Sequence, residues 1–94
     1  MACEAVDDGF RCRVRVGIDR GATRHTVSVA AGTLARLAPG AGTPDELVRA
    51  SFEYLLEREP RESILRTFDL PIIERYFPGY EAEVRSRLAP DPRG

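Results

Sequence analysis

Phe10-Arg11-Cys12-Arg13-Val14-Arg15-Val16 alternates apolar and polar side chains without a break. That two-residue period is the signature of a strand with one buried face. A second alternating run, Arg24-His25-Thr26-Val27-Ser28-Val29-Ala30, is rich in β-branched residues. Between the two lies Gly17–Thr23, whose two glycines and aspartate are turn formers. The pair predicts an antiparallel hairpin.

A turn centred between Arg20 and Gly21 sets Cys12 opposite Val29, Val14 opposite Val27 and Val16 opposite His25. On the other side Arg11 meets Ala30, Arg13 meets Ser28 and Arg15 meets Thr26. A slip of one residue would mix apolar with polar positions, because successive side chains point to opposite faces. The predicted hairpin therefore has an apolar face of Phe10, Cys12, Val14, Val16, Val27 and Val29. Its polar face carries Arg11, Arg13, Arg15, Arg24, Thr26 and Ser28 and contains no acid. Guanidinium groups crowded this way repel one another unless an anion sits near. Two sources fit: a docked acidic segment or phosphate, or glutamates from this chain's own helices. His25 falls on the apolar side near the hairpin end and reads as a packed, hydrogen-bonded histidine.

After Ala30 the period becomes helical. Gly32–Ala38 carries Leu34 and Leu37 and stops at the breaker run Pro39-Gly40-Ala41-Gly42, read as a connector. Thr43-Pro44-Asp45-Glu46 then supplies a threonine N-cap, proline in the first turn and a capping-box glutamate. Leu47, Val48, Ser51, Phe52, Leu55 and Leu56 follow as one stripe, wide enough to cover the hairpin. A further helix is expected over Glu62–Phe68, with Ile64, Leu65 and Phe68 on one side. Another is expected over Leu70–Phe77. A last one, Tyr80–Leu88, carries Tyr80, Val84 and Leu88 along one side, with Glu81–Arg85 and Glu83–Arg87 as supporting pairs. The fold class expected is α+β: a two-stranded hairpin packed against three to four short helices. Residues 1–9 read as a flexible N-terminus, 10–88 as one domain, and 89–94 as a flexible tail.

Composition narrows the function. In 94 residues there are 14 basic and 15 acidic side chains, a net charge of −1, which is not the strongly basic balance of a typical nucleic-acid binder. Every basic residue is arginine, and lysine, asparagine and glutamine are absent, as a GC-rich bacterial genome would encode. No apolar run is long enough to span a membrane, and Met1–Gly9 lacks the pattern of a signal peptide. Cys3 and Cys12 are therefore expected as free thiols in a reducing, cytoplasmic setting. With one histidine, two cysteines and no recurring ligand spacing, neither a metal site nor a cofactor is expected. No set of residues marks a nucleophile or a catalytic carboxylate pair, so no enzymatic activity and no small-molecule substrate are expected.

Ile72, Ile73, Tyr76, Phe77 and Tyr80 gather much apolar area into nine residues. They either complete a small core or form a partner surface. The function expected is an interaction module that binds a protein partner or itself. Its contact residues are Arg11, Arg13, Arg15 and Arg24 on the hairpin, and Ile72, Tyr76, Phe77 and Tyr80 near the C-terminus.

A second reading comes from His25–Glu59. Thr26-Val27-Ser28-Val29 as a strand, Leu34–Leu37 as part of a first helix, and Gly42-Thr43-Pro44-Asp45-Glu46 opening a second together resemble a ribbon-helix-helix repressor. That resemblance implies a DNA-binding dimer, a repressor or antitoxin, with Arg24, Thr26 and Ser28 reaching into the major groove from a two-stranded ribbon.

Overall fold

Both alternating runs form strands, and two more join them. The computed structural model of the chain describes residues 1–38, 40 and 42–89. The strands are β1 (Ala2–Val6), β2 (Gly9–Val16), β3 (Thr23–Ala30) and β4 (Thr67–Asp69). The helices are α1 (Ala31–Leu37), α2 (Pro44–Leu56), α3 (Ile72–Tyr76) and α4 (Tyr80–Leu88). One four-stranded sheet runs in the order β1-β2-β3-β4, antiparallel except where β4 lies parallel to β3. The α+β class stands, but the sheet has twice the strands expected. Pro39 and Ala41 of the expected connector and residues 90–94 of the expected tail lie outside the described residues.

The N-terminal segment accounts for one added strand. Ala2–Val6, expected to be loose, pairs along its whole length with Gly9–Arg13. Gly9 is obligatory there, because an added Cβ would sit 2.2 Å from the Val29 carbonyl oxygen. Cys3 faces Cys12 across the ladder and the two form a disulfide, so the expectation of free thiols is corrected. Facing positions in adjacent strands bring the two sulfurs within bonding reach.

The other added strand replaces a helix. Over Glu62–Phe68 only Arg61–Ser63 makes a 3-10 turn, and the chain then runs extended into β4. The Thr26 amide donates to the Arg66 carbonyl at 2.7 Å, and the Leu70 amide donates to the Ser28 carbonyl at 3.0 Å. Those bonds outweigh a helical pattern of only three apolar residues bounded by Pro60 and Pro71.

The hairpin register differs from expectation by two residues. Cys12 pairs with Val27, Val14 with His25, Arg13 with Thr26 and Arg15 with Arg24. A shift of two keeps every side chain on its expected face. The turn is centred one residue earlier: the Asp19 side chain accepts from the Gly21 amide at 2.9 Å, and its carbonyl accepts from Ala22 at 3.0 Å.

Against the apolar face lies the core. Cys12, Val27, Val29, Phe68, Leu37, Leu47, Val48, Phe52, Leu55 and Leu70 are buried together, with Phe10, Val14 and Val16 packed at its margin. The Thr43 hydroxyl accepts from the Glu46 amide at 3.2 Å, as a capping threonine should. The return contact runs hydroxyl to Glu46 carboxylate at 3.3 Å rather than carboxylate to backbone. The α4 helix starts from Gly79, whose φ of 102° favours glycine. Glu74 caps that start, accepting from the amides of Gly79 at 2.9 Å and Glu81 at 2.7 Å. These two donors hold its carboxyl below the usual carboxylate range. Glu83–Arg87 forms as expected, whereas Glu81 turns to Arg36 and ties α4 to α1. None of the helices in the described residues is long and apolar enough to cross a membrane.

Candidate functional site

The helices pack on one face of the sheet. On the other, Glu4, Arg11, Arg13, Arg15, Arg24, Thr67 and Asp69 are exposed, and Thr26 and Ser28 are half-exposed. The registers place these side chains in three rows across the strands. One row reads Glu4, Arg11, Ser28, Asp69; the next Ala2, Arg13, Thr26, Thr67; the last Arg15, Arg24. Charge therefore runs from two acids and one cation at one end to two cations at the other.

Pairing sharpens that gradient. The Glu4 carboxylate lies 3.7 Å from the Arg11 guanidinium and 3.3 Å from that of Arg13. The neutralising acid thus comes from β1 and not from the helices. Arg15 and Arg24 stand directly opposite each other. Among the described residues, neither has an acid within ion-pair distance. Like charges opposed across strands are unfavourable. Arg15 and Arg24, with Thr26 beside them, form a cationic corner open to solvent.

The C-terminal patch is divided by the fold. Tyr80, expected at a partner surface, is fully buried, and its hydroxyl meets the Ser51 hydroxyl at 2.6 Å. Burial pushes its phenol above the ordinary value. Its ring packs on Tyr54, 5.4 Å between centroids, so Tyr80 belongs to the core and is withdrawn as a contact residue. Ile72 and Phe77 are half-buried, and Tyr76 is 65% exposed. These three border a groove of about 360 Å3 whose floor and walls include Leu55, Ile64, Leu65, Phe68 and Glu59. Sequence reasoning missed Leu65 and Glu59. Leu65 was assigned to a helix that does not form, and Glu59 carries no distinguishing spacing.

A third feature is the loop joining β2 to β3. Ile18 at its tip is 97% exposed. The loop is nonetheless braced: Arg61 donates to the Gly21 carbonyl at 2.9 Å and lies 3.7 Å from the Asp19 carboxylate. His25, by contrast, is buried with both ring nitrogens engaged, one with the Thr23 hydroxyl at 2.8 Å and one with the Leu65 carbonyl at 2.7 Å. It joins β3 to the segment that forms the groove wall. Among the described residues, no group of three or more histidine, cysteine, aspartate or glutamate side chains is placed to hold a metal ion.

Comparison with protein-family models, with curated proteins and with solved structures finds no match to this chain.

Proposed function

We propose that the chain is a small, non-enzymatic bacterial interaction module whose open sheet face binds an acidic segment of a protein partner. The observation that carries this reading is the row of Arg15 and Arg24, opposed on an uncovered face with no acid within ion-pair distance among the described residues. A guanidinium fork takes a carboxylate bidentately and loses less solvation than an ammonium. A bound carboxylate would relieve the repulsion between the two arginines, so binding gains where folding loses. Arg13 and the Thr26 hydroxyl lie one row away and extend the contact. Glu4 and Asp69 at the far end repel the same ligand and fix which way it lies.

Phosphate suits the same cations, which is the basis of the DNA-binding reading through Arg24, Thr26 and Ser28. We rank it second on one observation. β3 is paired on both sides, by β2 and by β4, whereas a ribbon formed between two copies needs that strand's edge free. The cytoplasmic location expected from the sequence rested on free thiols, and the Cys3–Cys12 disulfide removes that support, so no compartment is part of the proposal.

Fluorescence anisotropy with a labelled polyglutamate peptide and a labelled random duplex, at low and moderate salt, separates the readings. We expect peptide binding that is lost when Arg15→Ala and Arg24→Ala are combined. Duplex binding that collapses with salt, without peptide binding, would promote the repressor-like reading. No binding of the peptide overturns the proposal.

A further inference from the structure

We infer that this chain pairs with a second copy of itself by inserting Ile18 of each copy into the apolar groove of the other. The inference does not depend on what binds the arginine corner.

Three observations carry it. First, Ile18 is a large β-branched side chain almost wholly in water, on a loop braced by the Arg61 and Asp19 contacts. Single exposed aliphatics are ordinary, but this one is held on a fixed support, so little loop entropy is lost on docking. Second, the groove between the β4 segment and α3 has the volume for such a side chain, and its rim residues Leu65 and Tyr76 are themselves exposed.

Third, charges match. Glu59 is half-buried in the groove wall and has no ion-pair partner among the described residues. Arg20 is exposed, equally unpaired among them, and only two residues from Ile18. An aliphatic knob followed by a cation thus matches an apolar groove with a carboxylate in its lining. A partly desolvated carboxylate gains more from a cation than an exposed one does.

Knob and groove share one end of the molecule. Arg61, which braces the loop, is two residues from Ser63 in the groove wall. A two-fold axis beside the Arg61–Ser63 turn would set each Ile18 against the other copy's groove, so that one self-complementary patch closes the dimer.

Sedimentation equilibrium over a wide concentration range tests this. The wild-type chain is expected to dimerise. Ile18→Asp is expected to raise the dissociation constant by about tenfold or more, as loss of a central anchor does. Because Ile18 is outside the core, circular dichroism of that variant should match the wild type. Arg20→Glu and Glu59→Arg should each weaken the dimer, and the two together should restore it. A wild-type chain monomeric throughout, an Ile18→Asp chain that dimerises like the wild type, or a charge exchange without restoration overturns the inference. The Ile18→Asp variant should still bind polyglutamate as the wild type does, which keeps failure here apart from failure of the arginine reading.

Discussion

Val27 and Thr26 are neighbours on β3, and they face opposite ways. Val27 is sealed beside Cys12 and Phe68, while Thr26 looks out between Arg13 and Thr67. The covered face is continuous, closed by α2 and by the segment around Leu70. The open face is a graded array of charge over which none of the described residues forms a layer. On one side of the sheet, residues are chosen for the apolar area they remove from water. On the other, two arginines are retained where folding alone would favour separating them. The comparison teaches where stability and binding reside: substitutions on the covered face should cost folding energy, and those at the cationic corner should cost almost none.

Leu47→Ala is the strongest test of the covered face. Leu47 is fully buried on α2. Removing it should destabilise the chain by about 2–5 kcal/mol, the sum of lost transfer energy and a residual cavity. Urea denaturation reads this as a lower midpoint at unchanged slope. A cost below about 1 kcal/mol would mean that α2 is not the lid of the core.

Cys3→Ala tests whether the sheet edge belongs with the covered face. The disulfide closes a separation of nine residues. A loop of that size confers about 2–3 kcal/mol by restricting the unfolded chain. The same variant should loosen β1 and with it Glu4, whose carboxylate neutralises Arg11 and Arg13. Proteolysis near Ala2–Val6 should rise, and polyglutamate should bind more tightly as two further cations are unmasked. Loss of stability without tighter binding would show that β1 stays docked through its ladder alone.

How much of this was legible depends on which physical signal each element leaves. The two faces of the hairpin were readable because alternation fixes parity, and a register error of two does not disturb parity. The start of α2 was readable because a cap is local: Thr43 and Glu46 need nothing from the rest of the chain. β1 was missed because Ala2-Cys3-Glu4-Ala5-Val6 shows little alternation, although Asp7-Asp8-Gly9 after it is a turn signal. β4 was unreadable in principle. It has three residues, and its partner β3 lies far away in sequence, so its identity is set by pairing rather than by local pattern. The groove inherits that difficulty, since Leu65 and Phe68 become its wall only when β4 forms. Tyr80 was placed on the wrong side of the core boundary because its buried partner, the Ser51 hydroxyl, lies on another helix.

The smallest effect is expected at the cationic corner, and it has the opposite sign. Arg24→Ala removes one of two opposed guanidinium groups. Relief of that repulsion should raise stability, by no more than about 0.5 kcal/mol, since both side chains are exposed and water screens them. The gain should shrink as salt is added, because ions between exposed charges do the same work. Binding should move the other way, with polyglutamate affinity falling as stability rises. That inverse relation is what distinguishes a surface kept for a partner from one that is merely solvated. If Arg24→Ala lowered stability and left peptide binding unchanged, the arginine would be supporting the sheet through the packing of its aliphatic stem, and the open face would lose its claim to be a binding site.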